Sequence, residues 1–141
     1  MRNKPCMTAA DVRVIAEACR AEAARLGLAV SICIVDDAAQ LLHFERLDAR
    51  PSTIQVALAK ARTAALMRLA TGSLEGRVRE NPLLMALDAM PLQGGLPLFY
   101  ADEPVGAIGV SGAVPAQDDL VAQAGCDALA RLSILNPEPR F

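Results

Sequence analysis

The sequence predicts an α+β protein in which helices cover one antiparallel sheet. Apolar residues recur at helical spacing in some segments and form short β-branched runs in others. These runs come in two consecutive pairs, each separated by a short polar turn, and strands joined in this way pair antiparallel. The predicted order is α-β-β-α-(α)-β-β-α, where the bracketed helix is short.

The first predicted elements are a helix and a hairpin. Thr8 and Asp11 have capping-box spacing at the start of the helix, and Gly27 is placed to end it. Residues 28 to 36 form an apolar, β-branched run typical of a buried strand. Residues 41 to 47 are expected to return as its hairpin partner.

The second helix is predicted to begin at Ser52, which has capping-box spacing to Gln55. It is expected to run to about residue 70 and to be closed by Gly72. Residues 73 to 91 predict one or two short helices, with Ser73 as a candidate cap. The apolar face of the second helix is expected to consist of Ile54, Leu58, Ala61, Ala65 and Leu69.

A second hairpin and a long helix are predicted in the last third of the chain. Residues 95 to 100 and 104 to 112 read as strands on either side of a polar turn. Pro115 suits the first turn of the last helix, which is expected to run to about residue 132. The final residues, 136 to 141, are expected to lie in solvent.

The composition fits a single domain that spans residues 1 to 141. Hydrophobic residues make up 53% of the chain and charged residues 21%, which argues against disorder. Aromatic residues are only 3%, so the core must be built from aliphatic side chains and alanine. Such a chain suits close helix packing on a sheet or on neighbouring subunits, and the apolar excess favours a homo-oligomer.

Charge, hydropathy and cysteine spacing disfavour several other classes. The net charge is −2 without a basic cluster, so nucleic-acid binding is not expected. No apolar stretch approaches the roughly 18 residues that span a bilayer, and the N-terminus lacks the apolar core of a secretory signal. A cytoplasmic protein without a membrane partner is therefore expected. Four scattered cysteines and one histidine do not have zinc-site spacing, and burial as small hydrophobes is expected for Cys19, Cys33 and Cys126.

Four segments carry a resemblance that covers nearly the whole chain. They read IVDDAAQLLHFERLDA (34–49), ALAKARTAA (57–65), GGLPL (94–98) and GAIGVSG (106–112). In this order they resemble the GlcG/HbpS-like haem-binding family, which includes the C-terminal domain of PduO-type corrinoid adenosyltransferases. The resemblance implies a profilin-like α/β/α sandwich with a central antiparallel sheet. It also implies a closed homo-oligomer and a small-molecule ligand, with haem or another tetrapyrrole as the candidate.

The chain departs from this family's pattern at several places. Ala39 stands where a turn glycine is usual, and RLDAR replaces R-x-D-G-A, so that Ala49 and Arg50 replace a glycine and an alanine. His43 stands where a small apolar residue is common. At His43 and Arg50 these departures place reactive groups where relatives carry small residues, which keeps an enzymatic function open.

His43 and Glu45 form the main candidate pair for chemistry. Strand alternation places them on one face, about 7 Å apart at Cα. A carboxylate beside an imidazole orients it and raises its pKa, which suits general acid/base catalysis. The same imidazole could ligate haem iron, or the pair could be ordinary polar residues on a half-exposed strand. Alternation also assigns Leu41 and Leu47 to this face and Leu42, Phe44 and Arg46 to the other.

Arg46 and Asp48 match the family's R-x-D segment. They could clamp a ligand carboxylate, because a guanidinium binds a carboxylate through two hydrogen bonds, or they could be an ion pair that holds the loop. Arg50 adds a cation nearby, so an anionic substrate or a propionate group is conceivable.

Lys60, Gly94 and Gly95 complete the predicted ligand-binding set. Lys60 is expected on the polar, solvated side of the second helix, although the resemblance of its segment also favours a pocket or a subunit contact for Lys60 or Thr63. Gly94 and Gly95 belong to another of the family segments, and their assignment follows from the resemblance.

Gly106, Gly109 and Gly112 interrupt the last predicted strand. Their spacing and hairpin setting are not those of a dinucleotide fingerprint or a P-loop. Asp118 and Asp119 follow in the first turn of the last helix and disfavour an anion there. The glycines therefore predict close approach of another surface, with Gly106 and Gly112 pointing one way and Gly109 the other.

These observations leave three hypotheses. The first is a small-molecule-binding protein of the GlcG/HbpS type that binds haem or another tetrapyrrole, with His43 as a candidate iron ligand. The alternative is a cofactor-independent lyase, isomerase or hydrolase acting on a small organic acid. In that enzyme His43 and Glu45 would move protons while Arg46 or Arg50 holds the carboxylate. A structural or sensory partner subunit is the third.

Overall fold

The chain alternates helices with two β-hairpins. The computed structural model describes residues 1–135, and the predicted solvent tail, 136–141, lies outside the described residues. The elements are α1 (Ala9–Leu26), β1 (Ser31–Asp36), β2 (Leu41–Arg46), α2 (Ser52–Met67), α3 (Thr71–Glu80), a 3₁₀ helix (Pro82–Leu87), β3 (Gly95–Tyr100), β4 (Glu103–Ser111) and α4 (Pro115–Leu135).

The four strands form one antiparallel sheet in the order β2-β1-β4-β3. The two hairpins meet where β1 pairs with β4, so β2 and β3 are edge strands on opposite sides. The predicted α+β class and element order are confirmed. Within residues 1–135, no helix has the length and apolar content needed to cross a membrane.

Helices cover both faces of the sheet. Successive strand residues point to opposite faces, so each strand contributes side chains to a core on either side. On one face, Ile32 and Ile34 of β1 and Ile108 of β4 pack against α1 and α4 in the larger core. On the other face, Cys33 and Ala107 pack against the alanines of α2 in a smaller core. The result is an α/β/α sandwich.

Gly109 allows α2 to lie directly on the sheet. A Cβ at this position would be 2.1 Å from the carbonyl oxygen of Ala57 and 2.5 Å from the amide nitrogen of Ala61. The predicted close surface at Gly109 is therefore a helix of the same chain. A Cβ at Gly106 would instead meet the carbonyl oxygen of Val35 in β1. A Cβ at Gly112 would meet the carbonyl oxygen of Ala29, in the segment just before β1.

The boundaries of α1 follow the local signals in the sequence. Thr8 and Asp11 form the predicted capping box, and Gly27 ends the helix with φ of 68°. The strand predicted from residue 28 begins only at Ser31.

The boundaries of α2 and α3 differ from the prediction. The predicted Ser52–Gln55 capping box is absent, since Pro51 occupies the N-cap without a side-chain hydrogen bond. Helix α2 ends at Met67, where Arg68 takes a left-handed conformation, and the next helix begins at Thr71 rather than after Ser73. The predicted apolar face is also wrong in part: Ala57, Ala61 and Ala64 are buried on the sheet, whereas Ile54 and Leu58 are only partly buried.

Candidate functional site

His43 and Glu45 lie on edge strand β2 and are joined by a hydrogen bond. His43 Nε2 lies 3.0 Å from Glu45 Oε2. Glu45 also accepts two hydrogen bonds from Arg20 of α1, at 2.9 Å from Nε to Oε1 and 2.7 Å from Nη2 to Oε2. The expected proximity of His43 and Glu45 is present. Sequence reasoning missed Arg20, whose position on the preceding helix gave no local signal.

Arg20 and His43 keep Glu45 ionised. Burial alone would raise the pKa of Glu45, but the hydrogen bonds from Arg20 and His43 outweigh it and hold that pKa below its ordinary value. Glu45 is thus a carboxylate at neutral pH, and it acts as a hydrogen-bond acceptor toward the imidazole rather than as a proton donor.

A groove of about 350 Å³ lies between α1 and β2, beside His43. A groove of this size falls in the range of small-molecule sites. The His43 side chain is 29% exposed, so a ligand in the groove can reach the ring. The side chains that line the groove are apolar on one part of the wall and cationic on another: Met7, Val12, Ala16, Leu42, Arg13 and Arg20, with Thr8 and Ala9.

A β-bulge changes which leucine lines the groove. The register between β1 and β2 shifts after the Ile34–His43 pair, so that Val35 pairs with Leu41. Leu41 therefore lies on the face of Val35, whereas Leu42 lines the groove beside His43. The predicted alternation is wrong for these two leucines, because an extra residue in one strand reverses the facing of what precedes it.

The predicted carboxylate clamp is not assembled next to His43. Arg46 pairs with Ser31, whose hydroxyl bonds Thr53 of α2, so Arg46 belongs to the opposite face of the sheet. Within residues 1–135 no ion pair joins Arg46 to Asp48. Arg50 is exposed in the loop before α2, and it does not line the groove. The cations that do line it are Arg13 and Arg20. A binding role for Arg46, Asp48 or Arg50 stays a prediction.

Lys60 is buried, so the prediction of a solvated lysine is wrong. Its Nζ donates to the carbonyl oxygen of Val110 at 2.8 Å and to Asp118 Oδ2 at 3.1 Å. Gly94 and Gly95 lie against it: a Cβ at Gly94 would be 2.8 Å from Lys60 Nζ, and one at Gly95 would be 2.6 Å from the Lys60 carbonyl oxygen. The structure brings these three predicted residues together, but on the β3–β4 side of the sheet, away from edge strand β2.

The carboxylates of α4 occupy the N-terminal end of their own helix. Asp118 Oδ1 accepts a hydrogen bond from the amide of Ala113 at 2.9 Å, and Asp119 accepts one from the amide of Gly94. Burial raises the pKa of both aspartates. The amide of Ala113, just before α4, is therefore already bonded within the chain.

Three of the four cysteines are not reactive thiolates. Burial raises the pKa of Cys19, Cys33 and Cys126 to about 12, so these thiols stay protonated at neutral pH. Cys19 and Cys33 are buried as small hydrophobes, as the sequence predicts, whereas Cys126 is only partly buried. The imidazole of His43 is consequently a stronger candidate for a ligand to a metal than these three thiols.

Comparison with known proteins places the chain in a family. The family model described as haem degrading protein HbpS-like matches residues 7–127. The chain belongs to the HbpS-like family. It is 34% identical to protein GlcG of Escherichia coli K12 over 119 residues, which is 79% of this chain and 85% of GlcG. The resemblance seen in the sequence segments is confirmed.

Two solved structures share the fold closely. Klebsiella pneumoniae protein ORFY superposes with a TM-score of 0.86 at 27% identity, covering 92% of this chain and 94% of ORFY. PduOC in its complex with haem superposes with a TM-score of 0.82 at 27% identity, covering 87% of this chain and 94% of PduOC. A fold of this kind is therefore able to hold haem in at least one relative.

Proposed function

We propose that this protein binds haem, or a related metal tetrapyrrole, in the groove between α1 and β2, with His43 as a ligand to the iron. The observation that carries the proposal is the position of the chain's single histidine, partly exposed at a groove with both apolar and cationic walls and held by Glu45. Membership of the HbpS-like family and the haem complex of PduOC support it.

The residues at the groove suit the chemistry of haem. Leu42 and Met7 offer apolar contacts to a porphyrin face, and the exposed guanidinium of Arg13 would pair with a propionate. His43 would supply the imidazole nitrogen that iron prefers. When bound, haem would supply a redox-active iron, while the chain's own residues hold the ring and limit the access of water.

We also propose that the protein is a cytoplasmic homo-oligomer. Leu66 of α2 and Leu87 of the segment after it lie at one groove, and further large apolar side chains of that segment are exposed: Leu83, Met85 and Leu92. Contiguous apolar surface of this kind marks protein interaction sites. The four free cysteines suit a reducing compartment. Light scattering coupled to gel filtration tests the oligomer, and a mass equal to one chain would contradict it.

Titration with hemin tests the haem proposal. Wild-type protein is expected to bind one hemin per chain and to shift the Soret band to a saturating value. His43→Ala is expected to weaken binding at least tenfold and to change the band position. Phe99→Ala is the matched control, because it truncates an exposed ring on the opposite edge strand. Equal affinity and equal spectra for wild type and His43→Ala would contradict His43 as a ligand.

The chain of hydrogen bonds from Arg20 through Glu45 to His43 also supports a second function. An orienting carboxylate behind an imidazole is the arrangement of a general base, so the protein could act on a small organic acid without a cofactor. In that case His43 moves the proton and Glu45 orients the imidazole. Arg13, rather than Arg46 or Arg50, would bind the carboxylate of the substrate. Incubation with 2-hydroxy and 2-oxo acids in D₂O tests this function. Deuterium incorporation that is lost in His43→Ala would support it, and incorporation unchanged by that substitution would contradict it.

A further inference from the structure

We propose that Arg20 and Glu45 are positioning residues that fix the tautomer of His43, so that Nε2 carries the proton and Nδ1 is the nitrogen offered to a ligand. This inference deepens the function proposed above, since it names the atom by which His43 would bind iron or accept a proton. It concerns the protein without ligand, so it is testable whether or not haem binds.

The argument begins with the donor and acceptor inventory of the pair. A carboxylate has only acceptor positions, so the 3.0 Å contact between Glu45 Oε2 and His43 Nε2 requires a hydrogen on Nε2. A neutral imidazole carries a single ring N–H. The lone pair of neutral His43 is consequently on Nδ1.

Arg20 fixes the carboxylate that makes this choice. Its guanidinium donates one hydrogen bond to each Glu45 oxygen, at 2.9 and 2.7 Å, which sets both the charge and the orientation of the carboxylate. Oε2 is thereby shared by Arg20 and His43. Without Arg20, the Glu45 carboxylate would lose this fixed orientation. The preference of His43 for the tautomer with Nε2–H would then weaken.

Nδ1 is left available. Within residues 1–135 no hydrogen bond or ion pair involves Nδ1, and the ring is partly exposed beside the groove. A carboxylate that accepts the opposite N–H raises the basicity of the remaining nitrogen, an arrangement common behind metal-bound histidines. The hydrogen bonds from Arg20 to Glu45 and from His43 to Glu45 thus leave the more basic ring nitrogen, Nδ1, directed away from Glu45.

Nitrogen NMR of the ligand-free protein tests the inference directly. The chain has one histidine, so both imidazole nitrogen signals in a long-range ¹H–¹⁵N spectrum belong to His43. When the imidazole of wild-type His43 is neutral, Nδ1 is expected at the chemical shift of an unprotonated nitrogen and Nε2 at that of a protonated one. Glu45→Gln and Arg20→Gln are each expected to move both signals toward their tautomer-averaged positions.

Arg25→Gln is the matched control, because Arg25 makes the same two-bond contact with Glu22 on the exposed side of the same helix. It is expected to leave both signals unchanged. Backbone amide spectra verify that each variant is folded, and Arg20→Gln alone suffices if Glu45→Gln is unfolded. A protonated Nδ1 in wild type, or wild-type shifts in both variants, would overturn the inference. A wild type that shows the Nε2–H tautomer but binds no hemin contradicts the haem proposal alone.

Discussion

Lys60 of α2 and Asp118 of α4 form an ion pair that links the two helical layers. Their side chains are each 3% exposed, and Nζ lies 3.1 Å from Oδ2. Burial raises the pKa of Asp118 although the amide of Ala113 and the ammonium of Lys60 lower it. The cost of desolvating the carboxylate therefore outweighs the attraction it gains, which is the usual balance for a buried pair.

Loss of one partner of this pair is expected to be more harmful than loss of both. Lys60→Met removes the ammonium with little change in length and leaves a buried carboxylate, so unfolding free energy should fall by about 3 to 5 kcal/mol. Adding Asp118→Asn removes the charge while its amide oxygen still accepts from Ala113, and should recover stability to within about 2 kcal/mol of wild type. Urea denaturation measures both.

Lys4→Met provides the control for that experiment. Lys4 is the other lysine of the chain and pairs with Asp37 at the surface, so its replacement should change stability by less than about 1 kcal/mol. Equal losses for Lys4→Met and Lys60→Met, or a double variant no more stable than Lys60→Met, would contradict the assigned role of the pair.

Gly109→Ala is expected to destabilise the protein by about 3 kcal/mol or more. The added methyl would lie 2.1 Å from the Ala57 carbonyl oxygen, and neither the helix backbone nor the strand can move aside alone. Gly76→Ala is the control, since a Cβ there has no atom within 4 Å and Gly76 lies inside α3. It should stabilise the protein by about 0.5 to 1 kcal/mol. Two alanine variants of equal stability would show that α2 does not lie this close to β4.

The turn between β3 and β4 leaves room for stabilisation. Ala101 and Asp102 have φ of 48° and 65° in a two-residue hairpin loop, a conformation that asparagine followed by glycine adopts more readily. Combining Ala101→Asn with Asp102→Gly is expected to add about 1 kcal/mol and to raise Tm by about 3 °C. Ala38→Asn, in the turn of the other hairpin at a residue without positive φ, should give no such gain. An unchanged Tm for the double variant would rule out this turn geometry.

Acid is expected to remove the contribution of Glu45 to stability. Its pKa in the folded protein lies below the ordinary value of 4.5, so around that pH the unfolded chain binds more protons than the folded one, and stability falls as pH falls. The decrease in the urea midpoint caused by Glu45→Gln, relative to wild type, should hence be larger at about pH 7 than at about pH 3. Glu75→Gln, which removes an exposed partner of Arg79, should cost little at either pH. A loss for Glu45→Gln that grows on acidification would have the wrong sign.

Features set by near neighbours in the chain were predictable from sequence. The capping pair Thr8 and Asp11 is three residues apart, and Gly27 ends α1 through its own backbone conformation. The hairpins likewise depend on a strand, a short turn and a returning strand. His43 and Glu45 belong to the same class, since alternation along one strand is enough to place them on one face.

Features that depend on distant partners were not predictable in this way. Lys60 meets Asp118 58 residues later, and Arg20 meets Glu45 25 residues later. Hydropathy assigns a lysine to solvent unless its buried partner is known, and the hydrophobic spacing of α2 does not show that the sheet beneath it lacks a side chain at Gly109. The bulge beside Leu42 depends on how β2 pairs with β1, which alternation along one strand does not show.

Ligation of haem iron by His43 is tested most directly by chemical rescue. His43→Gly opens space for a free imidazole at the site of the missing ring. The Soret band of the hemin complex of this variant is expected to differ from that of wild type and to return to the wild-type position when imidazole is added. A variant complex whose band already matches wild type without imidazole would contradict the assignment of His43 as the ligand.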